Sequence, residues 1–369
     1  MSDYGTKLAE GFSQKLMKEV YDRNLIDSVV NRDYQGEINA VGSKLNILNF
    51  DRISEQTYTK GGLVVEDLTE NNAQLIIDQY KSFYWREYTI DKWLSYIKEP
   101  KSTIVAQKAD ERSKNMDEFV LGKYVDVASG NRVGTDYTTG TVTITVTTGA
   151  VVGDGTTFTA AMVGRGFKAE GHDVWYRVKS YASATSIVIE DDKDDVDSAY
   201  TGGAIGSGAT YTIEAVEAIS ITTSNLLTQV SNLKEKLDIA ERYDHSSVPD
   251  SDRFLIVPPE FETILVQASG VALHVPEVYT ELVKKGFITM LQGFKVFKSN
   301  RLTGDNTDGF RVLAGHPNWC TFAEKLLTAD MEEDLTGDFG TAYKDLFVYG
   351  AKITDSRRHF ATELFCTFA

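Results

Sequence analysis

The residues of this chain whose types suit chemistry are five histidines, two cysteines and one dense acidic run, and their spacing suits little of it. His172, His245, His274, His316 and His359 stand in unrelated contexts, none at a metal-ligand spacing. The best nucleophile and base pair is Cys320 with His316 in the run GHPNWC, which needs an exposed thiol activated by the imidazole. The plainer reading is a helix-start histidine and a buried cysteine. Cys320 and Cys366 are too few and too far apart for a disulfide framework or a zinc motif, so both are read as reduced, buried side chains.

The run Glu190, Asp191, Asp192, Asp194, Asp195, Asp197 offers oxygen ligands for calcium. It lacks the glycine and terminal glutamate of the helix-loop-helix calcium motif, which favours a solvated turn between two strands. The glycine cluster GGAIGSGA at 202–209 matches neither nucleotide fingerprint and reads as a flexible loop. In GDGTTFTAAMVGRG the glycines read as turns between strands and Arg165 as a surface charge. Lys60, between Thr59 and two glycines, sits where bare backbone lets another subunit approach closely; an exposed turn lysine is the equal alternative. No cofactor, metal site or catalytic constellation is expected.

The elements that would have to position these residues belong to a chain of 369 residues with 42% hydrophobic and 25% charged residues, enough for one principal core carrying an additional module. The net charge of -16 repels polyphosphate, which argues against sequence-independent wrapping of nucleic acid. No apolar run is long enough to cross a bilayer, and Met1 to Lys18 lacks the apolar core of a signal peptide, so synthesis in the cytosol is expected.

Residues 1–48 read as an arm or a short helix, with a helical pattern at Leu8, Phe12, Leu16 and Val20. Residues 49–80 read as a long hairpin-like excursion around Lys60-Gly61-Gly62; its returning run places Leu75, Ile77 and Gln79 on one face and Ile76, Asp78 and Tyr80 on the other. Lys81 to Trp93 is dense in aromatics, which burial against a neighbour would explain. After Pro100, the spacing of Val105, Ala109, Arg112, Met116 and Phe119 predicts one long amphipathic helix ending near Gly122 to Gly130. From Gly130 to Tyr211 the composition turns to Thr, Gly, Val and Ser in short alternating runs, predicting an inserted β-sandwich or barrel. A second helix carries Leu226, Val230, Leu233, Leu237 and Ala240, with Thr222, Thr223 and Ser224 as candidate caps. Phe254 to Val257 then reads as a strand, Pro258-Pro259 opens a helix closed by Gly270, GFKVFKS and GFRVLAG read as strands, HPNWCTFAEKLL as a short helix, and Phe360 to Phe368 as a terminal strand with Glu363 on its otherwise less polar second face. The class is α+β.

The order of Tyr58-Thr59-Lys60-Gly61, Leu75-Ile76-Ile77-Asp78-Gln79, Asp252-Arg253-Phe254-Leu255-Ile256-Val257-Pro258-Pro259-Glu260-Phe261 and Leu346-Phe347-Val348-Tyr349-Gly350-Ala351-Lys352 resembles the major capsid protein family of tailed bacteriophages, whose fold is the Hong Kong 97 type. The resemblance runs from about Asn49 to Phe368 apart from the insertion. It implies an N-terminal arm (1–48), an extended loop and following strand (49–80), a peripheral domain with its spine helix (81–129), an inserted β domain (130–212) where compact members have a short connection, an axial domain with associated peripheral elements (213–345), and C-terminal strands (346–369).

The function implied is that of a non-enzymatic shell subunit, assembled in the bacterial cytoplasm and ending in the virion. Its partners would be copies of itself in hexamers and pentamers, a portal, scaffolding or decoration proteins, and enclosed double-stranded DNA without sequence-specific contact or membrane. Tyr58, Lys60, Gly61, Gly62, Leu63, Val64 and Val65 on the loop would form the subunit interface. Some family members cross-link a loop lysine to an asparagine; no asparagine here is matched to that role. A phage tail or head-decoration protein is the alternative within structural proteins. A hydrolase hiding a carboxylate pair among 54 acidic residues, or a secreted immunoglobulin-like binder, are the alternatives outside them.

Overall fold

The computed structural model describes residues 24–33, 44–47, 73–89, 100–145, 148–193, 198–239, 248–269, 287–333 and 339–369. The chain divides into two compact units, one drawn from 31–100 and 320–356, the other from 16–30, 101–319 and 357–369.

In the first unit, strand β1 (Lys44–Ile47) pairs antiparallel with β2 (Ala73–Ile76), with Ile47 opposite Ala73. A three-stranded antiparallel sheet has β19 (Gly340–Lys352) between β18 (Thr321–Glu333) and the edge strand β3 (Gln79–Tyr88). Its apolar centre is Ile47, Leu75, Ile77, Ala323 and Val348, all buried. The alternation expected for 75–80 holds: Leu75 and Ile77 are buried while Ile76 and Tyr80 are exposed. Trp85 stacks on its cross-strand partner Tyr343, ring centroids 4.6 Å apart, and Tyr84 on the opposite face of β3 is exposed.

The helix expected over HPNWCTFAEKLL is not formed. A 3-10 turn at Pro317–Trp319 gives way to β18, although Ala, Glu, Lys and Leu favour helix. Pairing with β19 from Thr321 to Glu333 overrides that preference, and period-two alternation follows: Phe322 and Glu324 face Arg32, while Ala323 joins the apolar centre. Arg32 ion-pairs with Glu324 at 2.8 Å and lies 5.5 Å over the Phe322 ring.

In the second unit, a mixed seven-stranded sheet is built in the order β13 (Ile219–Ile221), β20 (Ala361–Phe368), β17 (Phe310–Gly315), β14 (Phe254–Val257), β16 (Phe294–Lys298), β15 (Phe287–Leu291), with β4 (Arg132–Val133) also pairing to β20. Because β17 occupies one edge of β20, β4 and β13 lie end to end along the other, β4 at Glu363–Leu364 and β13 at Cys366–Phe368. All four residues of β14 are buried, as a centre strand covered on both faces requires.

Helix α1 (Pro100–Leu121) buries Val105, Ala109, Met116 and Val120. Arg112 and Phe119, expected on that face, are only half-buried; Ser113 and Asp117 are buried instead and meet Arg301, whose Nη1 donates to Ser113 Oγ at 2.9 Å and to Asp117. Helix α2 (Leu226–Asp238) buries Leu226, Val230, Leu233 and Leu237 as its spacing predicts, but its first turn is preceded by Asn225, whose Oδ1 accepts from the Thr222 N–H. Helix α3 (Pro259–Ser269) sets Phe261 edge-on to Phe368 at 6.2 Å. No helix among the described residues is long and apolar enough to cross a membrane.

Between β4 and β13 the chain makes an eight-stranded antiparallel module in the order β11 (Ile205–Ala209), β6 (Thr141–Ile144), β7 (Ala150–Asp154), β10 (Ser186–Asp191), β9 (Tyr176–Ser183), β8 (Gly166–Ala169), β12 (Tyr211–Glu217), β5 (Thr135–Tyr137). Ile144, Val151, Phe167, Val178, Ile187 and Ile213 belong to one buried cluster, so the strands curl about a shared core. The glycine-rich stretch expected to be a loop is in part strand β11, with Ile205 opposite Ile144 and Ala209 opposite Val142.

Candidate assembly elements and the ion-paired joint

The interface residues expected on the extended loop, Tyr58, Lys60, Gly61, Gly62, Leu63, Val64 and Val65, lie outside the described residues, as does most of the N-terminal arm. The stem is described: the chain leaves β1 at Ile47 and returns at its direct partner Ala73. Next to the stem, Ile76 at the end of β2 is exposed, as are Tyr80 and Tyr84 on the edge strand β3, with the Tyr80 hydroxyl donating to the Ile77 carbonyl at 2.9 Å.

A denser constellation, which the sequence reading missed, lies where the module meets the seven-stranded sheet. Glu363 on β20 is wholly buried, and its carboxylate accepts from Arg165 Nη1 (3.1 and 3.2 Å) and Arg311 Nη1 (2.9 Å), with Arg132 Nε 3.3 Å away. The Arg311 guanidinium also lies 3.4 Å over the Phe365 ring. Arg132, at the entry to the module, donates to the carbonyls of Gly164, Val125 and Val127 at 2.6, 3.0 and 3.0 Å. Arg165, expected on the surface, is buried, and the buried Glu363 carboxylate supplies the opposite charge that its guanidinium needs there.

Glu214 is placed by a distortion of β12. Tyr211 and Ile213 face the module core, and Ala215 follows with φ 49°, its N–H taken by Asp136 Oδ1 at 2.9 Å. Gly134 passes so near Ala215 that an added Cβ would lie 2.6 Å from its Cα. Glu214, on the opposite face from Ile213, accepts the Gly130 N–H at 2.6 Å through Oε2; its buried Oε1 has no hydrogen-bond partner and lies 3.7 Å from Arg132 Nη1. Burial pushes its pKa up to about 7, against the pull of Arg132, the Gly130 N–H and Lys236.

The first three residues of the acidic run are not a solvated turn. Glu190 is buried and accepts from Arg177 at 2.9 and 2.7 Å, Asp191 accepts from the Thr201 N–H and hydroxyl, and Asp192 accepts from the Ser129 N–H at 2.6 Å and pairs with Arg358. Burial opposes ionisation of Asp192, but Arg358 and the Ser129 N–H outweigh it and hold the carboxyl below its ordinary range. Asp194, Asp195 and Asp197 lie outside the described residues, and among the described residues no cluster of His, Cys, Asp or Glu is placed to hold a metal ion. The sequence signal for the joint was a charge inside an apolar strand run, Glu214 in YTIEAV and Glu363 in ATELFC.

The remaining candidates do not converge. His316 is buried, its Nδ1 accepts the Asn318 N–H at 3.2 Å, and burial lowers its pKa; Cys320 is wholly buried. His172 lies edge-on to Tyr176, His359 is buried beside Phe360, and His245 and His274 fall outside the described residues. Burial pushes the Cys366 thiol up to about 12. Neither thiol is expected to react with a thiol-directed reagent at pH 8 in the folded chain, and both are expected to react after denaturation, which labelling and mass spectrometry check.

No protein-family model matches the chain, and no curated protein matches it. Solved structures do. A chain from Mycobacterium phage Che8 superposes with a TM-score of 0.53 at 16% identity, covering 93% of this chain and 91% of that one. The capsid structure of the cyanophage P-SCSP1u matches at 0.53 and 14% identity over 93% and 87% of the two chains. The capsid of Ralstonia phage GP4 matches at 0.52 and 12% identity over 91% and 86%. Taken with the mixed sheets and the long helix described above, these matches over nine-tenths of the residues mean that the chain has the α+β fold of phage capsid proteins.

Proposed function

We propose that this chain is the major capsid protein of a tailed bacteriophage, of the Hong Kong 97 type, a structural subunit that assembles with copies of itself into hexamers and pentamers around double-stranded DNA. The observation that carries the reading is a phage-capsid fold matched over about nine-tenths of the chain. In this reading 81–129 with α1 as spine helix form the peripheral domain, and the seven-stranded sheet is the core of the axial domain. The long strands β18 and β19 are the peripheral elements associated with it.

Residues 49–80 are the extended loop and its following strand, and it is the loop that reaches a neighbour. The paired stem at Ile47 and Ala73 supports an excursion that starts and ends at one place, and the exposed Ile76, Tyr80 and Tyr84 beside it supply apolar surface for a second copy to cover. A shell gains its stability from many repeated contacts, so no single interface has to be tight. The net charge of -16 fits a wall that does not grip its genome.

Electron microscopy of the expressed chain tests the proposal. Closed shells, or rings of five and six subunits, are the expected result; tubes or trimers would favour a tail or decoration protein, and a monomer at every concentration would overturn both. Changing Leu63, Val64 and Val65 together to serine is expected to abolish assembled particles while leaving the circular dichroism and unfolding midpoint of the subunit near those of the parent chain.

A further inference from the structure

The joint between the module and the seven-stranded sheet has a use beyond holding two β-structures together. Seven charged groups converge on it from different segments: Arg132 on β4, Arg165 just before β8, Glu214 on β12, Arg311 on β17, Glu363 on β20, and the Asp192 and Arg358 pair. Lys236 from α2 closes the set, its Nζ donating to the Gly130 carbonyl at 2.7 Å. Around Glu214 the neighbours are Arg132, Lys236 and Asp192, together with the Gly130 N–H, the half-buried Ser129 and the backbone of Gly166, which passes so close to Oε1 that a Cβ there would collide with it. Tyr124, Glu363, Arg165 and Arg311 stand beyond Arg132.

Each of the other carboxylates here has hydrogen-bonded cationic or N–H partners for both oxygens or for its charge. Glu214 is the exception, with one oxygen hydrogen-bonded and the other buried without a donor. Ionisation of that group inside the closed joint is therefore disfavoured relative to ionisation in water.

We propose that Glu214 is a pH-operated latch on the module: in weakly acidic solution it is neutral while the joint is closed and ionises as the joint opens. The closed-state value is about 7, raised from 4.5. A raised carboxyl contributes its stabilisation in full below its ordinary value and loses it as pH rises through the raised one. For one such group the opening constant rises about tenfold between pH 6 and pH 8. Asp192 acts with the opposite sign, its pairing with Arg358 being lost as pH falls, so the joint is tightest in weakly acidic solution.

Amide hydrogen exchange on the full chain, corrected for the intrinsic pH dependence, tests this. In the parent chain the amides of 130–134 and 213–217 are expected to open about tenfold more readily at pH 8 than at pH 6, while those of the module core at Val151 and Ile187 stay level. In Glu214→Gln the rise is expected to vanish; Asp117, buried beside Arg301 and also raised to about 7, lies on α1 outside the joint and is the same in both chains. A rise of the same size in Glu214→Gln, or a uniform rise across joint and core in the parent chain, overturns the proposal. The parent-chain comparison stands even if the variant does not fold, and neither arm depends on shell assembly.

Discussion

Replacing Glu363 with leucine is expected to destabilise the chain by about 3–5 kcal/mol, seen as a lower midpoint of denaturant unfolding. Leucine fills much of the same space, so the loss does not come from a cavity. It comes from Arg132, Arg165 and Arg311, which would be left together in a buried region with their shared carboxylate gone. Adding Arg165→Met to Glu363→Leu is expected to recover part of the loss, because one uncompensated buried charge leaves with it. Equal or additive losses in the double variant would mean that Glu363 acts through packing and not through charge.

Trp319→Ala is expected to cost about 3–5 kcal/mol, the range for emptying a large aromatic site that cannot collapse. Trp319 is wholly buried, its ring 6.4 Å from Phe254 on the centre strand β14, and its Nε1 donates to the Val29 carbonyl at 2.8 Å. That bond ties the short Asn24–Val30 segment, with its buried Leu25, Ile26, Val29 and Val30, to the rest of the second unit. Trp319→Phe keeps most of the packing and loses the donor, so a smaller cost of about 1–3 kcal/mol is expected. Unfolding curves for the two variants separate the packing loss from the hydrogen-bond loss.

Much of the fold was legible because it is local. Leu226, Val230, Leu233 and Leu237 repeat at helical spacing and all four are buried on α2; Leu75 and Ile77 alternate with Ile76 and Tyr80 and are sorted to opposite faces as that period requires. Phe254 to Val257, bounded by a proline pair, reads as a short apolar strand and is a strand with all four residues buried. The Thr- and Gly-rich stretch from Gly130 announced a β module, and the order of motifs pointed to the phage-capsid fold that the solved structures share.

The residues that failed to read correctly are those whose environment is supplied from far along the chain. Thr321–Glu333 carries helix-favouring residues and becomes a strand because β19 offers a backbone partner along its length. Arg165 looks like a surface charge until Glu363, nearly two hundred positions away, is brought beside it, and Asp192 looks solvated until Arg358 and the Ser129 N–H arrive. Side-chain periodicity is a property of neighbouring residues, so the sequence alone determined the helices, most strands and the β character of the module. The free energy of a buried charge depends on which opposite charge lies within a few ångströms, so only the tertiary structure decided which of the acidic and basic residues stay in water and which meet in the joint.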